Sequence, residues 1–172
     1  MEILIPGLFL VGFMIWASTR IKRNAAKAFE REEVETPEFS LVKPEGFLAP
    51  VDPAEGTLFS AYSKEFGRDD AGRVRQGTIE LRRFDNANLE EVCERVKAES
   101  SDLIGEQFGV INEAKCANIV VAGRVSDVPV HTFHKMIAAR DAVFQLSVTV
   151  LPDHKEDYLR RIDELLASFT LK

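Results

Sequence analysis

A stretch of seventeen residues near the N-terminus, residues 3–19, contains no charged side chain. An α-helix of that length covers about 26 Å, just under the roughly 30 Å of a bilayer's hydrocarbon core. Trp16 lies beside a group of basic residues, a position typical of aromatic side chains at a membrane interface. We therefore predict a transmembrane helix whose apolar side chains are Ile3, Leu4, Ile5, Leu8, Phe9, Leu10, Val11, Phe13, Met14, Ile15 and Trp16.

Two other interpretations of this segment fit the residues less well. A cleaved signal peptide has basic residues before its apolar run and small residues at its cleavage site. Here the chain begins Met-Glu, and the small residues 17–19 follow the bulky Ile15 and Trp16. A core helix of a soluble protein would normally show an amphipathic stripe, whereas this run is apolar all round. The sequence favours a retained membrane anchor.

The basic residues after the apolar run predict its orientation. Arg20, Lys22, Arg23 and Lys27 follow the run closely, and no basic residue precedes it. Positive charges flanking a span remain on the cytoplasmic side. We expect a bacterial-type single-pass protein of the cell (inner) membrane, with its N-terminus outside and its C-terminal domain in the cytoplasm.

The negative charge of the chain is concentrated after residue 37. The 172 residues carry a formal net charge of −6, and residues 1–37 contain equal numbers of basic and acidic side chains. An acidic surface repels the phosphate backbone, so nucleic acid is not an expected partner. The two cysteines, Cys93 and Cys116, are expected to be reduced, semi-buried thiols, because a domain of this size builds a core without disulfides.

A domain boundary is predicted at Pro37. Residues 20–35 are rich in Ala, Lys, Arg and Glu, which favour a helix continuing from the membrane as a charged stalk. Thr36-Pro37 would end that helix. The expected organisation is an anchor and helical stalk over residues 1–37, followed by one folded domain over residues 38–172.

The hydrophobic periodicity of the domain predicts short strands and two helices. Strands are expected at residues 39–43, 57–66 and 73–84, the last two flanking a hairpin loop, then at 110–115, 118–125, 129–138 and 142–151. A helix within residues 86–108 would bury Leu89, Val92, Cys93, Val96 and Leu103, and a second helix spans residues 153–168. Short links between strands favour an antiparallel sheet with helices packed on it, an α+β fold.

No motif in the sequence points to catalysis, a cofactor or a metal ion. His131 and His134 are three residues apart on a predicted strand, so they would point to opposite faces of the sheet. Asp69 and Asp70 lack the spaced ligands of a cation-binding loop and suit a solvated turn. We predict no catalytic, cofactor-binding or metal-binding residue, and a protein that is not an enzyme.

The domain resembles the PsbP-like superfamily. The resemblance covers residues 38–172 and rests on the order of the elements, on a "KPEGF" turn at residues 43–47, on "NANLEEVCERV" at residues 86–96 and on a closing helix ending "LLASFTLK". The superfamily takes its name from an extrinsic photosystem II subunit and includes a small Ran-binding protein. The resemblance implies an α/β/α sandwich that binds or assembles other proteins.

These observations lead to one preferred function and two alternatives. The preferred hypothesis is a membrane-anchored, non-catalytic domain that binds a membrane protein complex, of respiratory or photosynthetic type for example, as an accessory subunit or assembly factor. A small-molecule or lipid-headgroup binding module is the first alternative and would require a concave cavity with convergent polar groups. A thiol-dependent enzyme using Cys93 or Cys116 is the second.

Overall fold

Ten strands, two α-helices and two 3-10 turns make up residues 27–172, the part of the chain described by this computed structural model. The predicted anchor, with Arg20, Lys22 and Arg23, lies outside the described residues. The bounds of the elements are β1 Glu32–Glu35, β2 Phe39–Lys43, β3 Phe47–Leu48, β4 Phe59–Ser63, β5 Gly77–Asp85, α1 Leu89–Glu99, β6 Asp102–Ile111, β7 Ala114–Val125, β8 Val128–Ala139, β9 Ala142–Val150, α2 Lys155–Ser168 and β10 Thr170–Leu171, with 3-10 turns at Asp69–Ala71 and Pro152–His154.

Seven antiparallel strands form the main sheet, in the order β3-β4-β5-β9-β8-β7-β6. The strands from β6 to β9 follow one another through hairpin loops of two residues each. Two of these loops have positive φ at both residues: Asn112 and Glu113 at 51° and 68°, and Ser126 and Asp127 at 49° and 67°. This is the type I′ conformation, which matches the twist of the flanking strands.

One face of the main sheet packs against α2 and a smaller sheet with the strand order β1-β2-β10. Alternate residues of β9 point into this layer, as the period of two in its sequence predicts. Each large apolar side chain removed from water here contributes about 1.5–3 kcal/mol. The core includes Phe39 and Leu41 of β2, Ile79 and Leu81 of β5, Phe144, Leu146, Val148 and Val150 of β9, and Tyr158, Ile162 and Leu165 of α2.

Helix α1 packs on the opposite face of the main sheet. The Asn88 side chain caps its N-terminus by accepting a hydrogen bond of 2.8 Å from the Glu91 N–H. Its apolar stripe faces β7, β8 and one end of β9, and this eleven-residue helix leaves the rest of that face open. The contacting side chains are Leu89, Val92, Cys93 and Val96 of the helix and Ala117, Ile119, Val121, Met136 and Val143 of the sheet.

Hydrogen bonds from Lys43 hold the start of the described chain against the domain. Its side chain is fully buried, and its ammonium group donates hydrogen bonds to the carbonyl oxygens of Ala28 at 2.9 Å, Glu30 at 2.8 Å and Phe47 at 2.9 Å. All three ammonium protons therefore have an acceptor, which a buried lysine requires. The segment before β1 is thus held beside β3, at one edge of the main sheet.

Two of the predicted helical segments are wrong in part. The helix expected up to residue 108 ends at Glu99, because Ser100 adopts an extended backbone and its hydroxyl donates to the Lys97 carbonyl at 2.8 Å. Leu103 therefore lies in β6, and the strand expected at residues 110–115 is the hairpin between β6 and β7. The helical stalk is wrong over Glu32–Glu35, which pair with β2 because tertiary pairing outweighs helix propensity.

Candidate functional site

A groove of about 670 Å³ lies on the part of the main sheet that α1 leaves open. Its floor is formed by the outward side chains of β5, β9, β8 and β7, and one wall by the C-terminal half of α1. We refer to it as the sheet groove. Its lining consists of Thr78, Glu80, Arg82 and Phe84 of β5, Arg95, Val96 and Glu99 of α1 with Ser100, Val121, Gly123, Arg124 and Val125 of β7, Val130, Thr132 and His134 of β8, and Gln145, Ser147 and Thr149 of β9.

The floor is polar because successive side chains of each strand point to opposite faces of the sheet, and the residues between the core positions are polar. In β5, Ile79 and Leu81 point into the apolar layer, so Thr78 and Glu80 point into the groove. The register places polar residues of three strands side by side. One row is Thr78, Thr149 and Thr132, and the next is Glu80, Ser147 and His134.

His134 is the centre of a hydrogen-bonded cluster on this floor. The Gln145 side-chain amide donates to His134 Nδ1 at 2.9 Å, which requires Nδ1 to be an acceptor and places the proton of the neutral ring on Nε2. Ser147 Oγ lies 2.9 Å from the same Nδ1, and the Gln145 amide is 3.2 Å from Ser147 Oγ. Thr132 and Thr149 share a hydroxyl–hydroxyl hydrogen bond of 3.1 Å nearby. The cluster fixes these side chains in place.

This arrangement suits hydrogen-bonded recognition better than nucleophilic catalysis. A serine–histidine relay needs the serine on one ring nitrogen and an orienting group on the other. Here Ser147 and Gln145 both lie at Nδ1. Burial also lowers the pKa of His134 to about 4, so the ring is neutral and a poor general base near pH 7.

Arginines make the groove more positive than the rest of this acidic chain. Its lining carries Arg82, Arg95 and Arg124 against Glu80 and Glu99. Arg82 is paired with Glu80 at 2.7 Å, with both side chains about half exposed. Arg95 lies 5.2 Å from the ring centre of Phe84, within range of a cation–π contact. A polar or anionic segment would find both hydrogen-bond donors and positive charge here.

The structure places both cysteines in the core, as predicted for Cys93, whereas Cys116 is more deeply buried than the semi-buried thiol that was expected. Cys93 lies on the buried stripe of α1 with its Sγ 3.8 Å from Met136 Sδ, and burial raises its pKa to about 11. Cys116 is buried on the opposite face of the sheet, and neither thiol is in a disulfide. The burial of both thiols and the raised pKa of Cys93 give a thiol-dependent enzyme no support, because a reactive cysteine needs an accessible thiolate.

The two histidines of β8 point to opposite faces, as the spacing predicted. His134 faces the sheet groove, whereas His131 lies on the other face, where burial and the nearby Lys155 lower its pKa. The exposed Asp69 and Asp70 form a 3-10 turn beside a second cavity of about 810 Å³. Within residues 27–172, no group of three or more His, Cys, Asp or Glu side chains is placed to hold a metal ion.

The predicted anchor residues and the basic residues Arg20, Lys22 and Arg23 remain predictions, because they precede the described part of the chain. Lys27 is its first residue and is exposed. Among residues 27–172, no helix has the length and the apolar composition needed to cross a membrane.

Sequence reasoning identified part of the groove but not the groove itself. The period of two assigned Gln145, Ser147 and Thr149 to the face of β9 away from the core, and the structure confirms it. The same alternation in β5 could have assigned Thr78, Glu80 and Arg82 to this face of the sheet. The groove forms only when β5 pairs with β9, and the paired residues, such as Thr78 and Thr149, are far apart in the sequence, so no local pattern encodes it.

Comparison with solved structures shows the fold. The chain is similar to cyanobacterial PsbP (CyanoP) from Synechocystis sp. PCC 6803, with 12% identity, a TM-score of 0.59, and coverage of 83% of this chain and 92% of that one. It is also similar to LpqN, involved in cell envelope biogenesis of Mycobacterium tuberculosis, with 10% identity, a TM-score of 0.61, and coverage of 83% and 91%. A third is the Saccharomyces cerevisiae Ran-binding protein Mog1p, with 12% identity, a TM-score of 0.53, and coverage of 83% and 96%.

These likenesses confirm the predicted α+β, PsbP-like fold of the domain, and at such low identity they show the fold alone. No protein-family model matches the sequence. No curated protein matches it either.

Proposed function

We propose that this chain is a membrane-tethered, non-enzymatic binding domain that serves as an accessory subunit or assembly factor of a membrane protein complex. The sheet groove carries the proposal: it is a preorganised, polar, arginine-containing surface without a nucleophile–base relay. The fold is shared with a protein named for binding Ran, which supports a binding role. The partner segment would be hydrophilic and neutral to acidic, matching the donors of the groove.

The predicted anchor explains why such a domain would act at a membrane. Tethering confines the groove to a thin layer above the bilayer and raises its effective concentration toward membrane proteins there. Under this proposal, the domain lies on the cytoplasmic side of the cell membrane, the side that the basic residues after the apolar run favour.

The test is purification of the full chain from membranes in mild detergent, with identification of the subunits that accompany it. Arg82→Glu reverses a charge in the groove at a half-exposed position, so it should leave folding intact. The control Arg160→Glu reverses the charge of an arginine side chain that is 90% exposed, on α2, behind the other face of the sheet. We expect subunits of one membrane complex with the wild type and the control, and at least a tenfold lower recovery with Arg82→Glu.

Two results would contradict the proposal in different ways. Recovery of the free protein alone in several detergents would overturn the role in a membrane complex. Equal recovery of the complex with Arg82→Glu and Arg160→Glu would keep that role and exclude the sheet groove as the contact surface.

A second candidate function, recognition of a lipid headgroup or small anion, is favoured by the size of the groove. Its 670 Å³ falls within the range of about 300–1,000 Å³ for ligand sites. Titration of the full chain in neutral detergent with glycerol phosphate tests it. Saturable heat that disappears in Arg82→Glu would support it, and no heat would exclude it.

A further inference from the structure

Strand β6 is a long edge of the main sheet that nothing in residues 27–172 covers. It has ten residues and pairs only with β7, whereas the opposite edge, β3, has two residues. Several of its apolar side chains are exposed to solvent, including Phe108 at 56% and Val110 at 68%. Unpaired backbone groups beside exposed apolar side chains are a template for another strand.

The strand lacks most of the features that normally prevent such pairing. Natural edge strands carry Lys or Pro, or point a charge inward. Strand β6 contains no Lys, Arg or Pro, and its one mostly covered charge, Glu106, is paired with Lys97 of α1. A bulge at Ile104, between Leu103 and Gly105, is the only irregularity in its pairing with β7. The segment from Gly105 to Ile111 is regular.

The sequence of β6 is nearly palindromic about Gln107. Reading outward from Gln107, Gly105 corresponds to Gly109, and the apolar pair Leu103-Ile104 corresponds to the apolar pair Val110-Ile111. A two-fold axis through the centre of an antiparallel strand pair places residues at equal distances from it opposite each other. Two copies of β6 would therefore bring glycine against glycine and apolar against apolar residues, with Glu106 of each copy opposite Phe108 of the other.

The charges of the strand are compatible with this self-pairing. Glu106 is already bound by Lys97 of α1 at 2.5 Å, so its charge is compensated within one copy. In a pairing centred on Gln107, Asp102 would lie at the far end of the partner strand, next to the uncharged Ile111 and Asn112. No acidic side chain of β6 would then lie opposite another. A partner strand with basic side chains would gain little electrostatic stabilisation from Glu106, because this carboxylate is already paired with Lys97.

We infer that β6 pairs antiparallel with β6 of a second copy of this chain, with the two-fold axis at Gln107. The two main sheets then form one continuous fourteen-stranded sheet. The sheet groove is lined by β5, β7, β8, β9 and α1, so it stays open in both copies.

Cysteine cross-linking of the full chain in isolated membranes tests the register. With the axis at Gln107, two copies of Gln107→Cys lie about 5 Å apart, whereas two copies of Asp102→Cys on the same strand lie about 30 Å apart. Both positions are exposed, and the native cysteines are buried. We expect a short bismaleimide to give a covalent homodimer with Gln107→Cys and none with Asp102→Cys.

A charge at the edge tests whether the dimer depends on β6. Val110→Lys, combined with Gln107→Cys, should reduce the cross-linked dimer at least fivefold, because a lysine at an edge opposes strand pairing. Val51→Lys, at a residue that is 98% exposed outside β6, is the matched control and should leave the dimer unchanged. Equal thermal melting of both variants would show that folding is unaffected.

Three outcomes would overturn the inference. One is a homodimer with Asp102→Cys as abundant as with Gln107→Cys. Another is a dimer that Val110→Lys does not reduce. The third is absence of a homodimer with Gln107→Cys, including the case in which that cysteine cross-links to a different protein.

Discussion

Four polar side chains with nitrogen atoms, those of Lys43, His134, Lys135 and Gln145, are buried in this domain, and each has hydrogen-bond partners that compensate its loss of water. Lys43 donates to three backbone carbonyls, and Lys135 donates to the carbonyls of Leu166 at 2.5 Å and Phe169 at 3.1 Å, at the end of α2. His134 remains neutral and accepts from Gln145. The lysines hold chain segments in place, whereas His134 orders the floor of the sheet groove.

The buried His134 predicts that the domain loses stability as the pH falls below about 6.5. In the unfolded chain a histidine takes up a proton near that pH, whereas folded His134 does so only near pH 4. Between these values the unfolded state binds more protons, so the free energy of unfolding decreases with falling pH. At pH 5 the loss from this residue should be about 2 kcal/mol relative to pH 7.

Urea unfolding of the wild type and of His134→Gln at pH 7 and pH 5 measures this effect. The glutamine keeps a side-chain donor and acceptor but does not titrate, so its stability should fall by about 2 kcal/mol less over this interval. His131, whose pKa is also lowered, contributes equally to both proteins. The same pH dependence in the two proteins would contradict the burial of an uncharged His134.

At the scale of elements, the segment before β1 belongs to the folded domain. The Lys43 ammonium binds the carbonyls of Ala28 and Glu30, and the Gly46 N–H donates to the Phe29 carbonyl at 2.8 Å. A chain shortened to residues 27–172 keeps these contacts, whereas one shortened to residues 32–172 loses them. We expect the shorter chain to be less stable by about 1–3 kcal/mol, the cost of leaving a buried polar group without its partners.

A double-mutant cycle assigns this loss to Lys43. Lys43→Met should destabilise residues 27–172 more than residues 32–172, because most of the acceptors of the ammonium group are already absent from the shorter chain. Denaturant unfolding of the four proteins gives the coupling. Equal effects of Lys43→Met in the two chains would show that the segment before β1 is not held by this side chain.

Elements with a clear local period were predictable, and elements defined by distant pairing were not. The alternation of Phe144, Leu146 and Val148 located β9, and the stripe of Val92 and Val96 located α1. In contrast, Glu32–Glu35 form a strand despite their helix propensity, because they pair with β2. Strand β6 was missed because its apolar residues face solvent and so lack the alternation that burial imposes.

At the scale of the whole molecule, the two edges of the main sheet have different surroundings. The chain enters beside β3, whereas β6 lies six strands away, about 29 Å at the usual strand spacing. A membrane tether before Lys27 would therefore attach at the edge opposite the proposed dimer contact. A two-fold dimer in one membrane also needs both domains on the same side, so both copies must share one orientation.

We expect that orientation to place the domain in the cytoplasm, and the basic residues Arg20, Lys22 and Arg23 to determine it. Protease added to intact spheroplasts should leave the domain uncut, and protease added to inverted membrane vesicles should digest it. Replacing all three residues with Glu removes most of the positive charge flanking the apolar run, so a measurable fraction of the chains should become protease-sensitive in spheroplasts. Digestion of the wild-type domain in spheroplasts would reverse the assigned side, and its release from membranes at alkaline pH would exclude a membrane-spanning anchor.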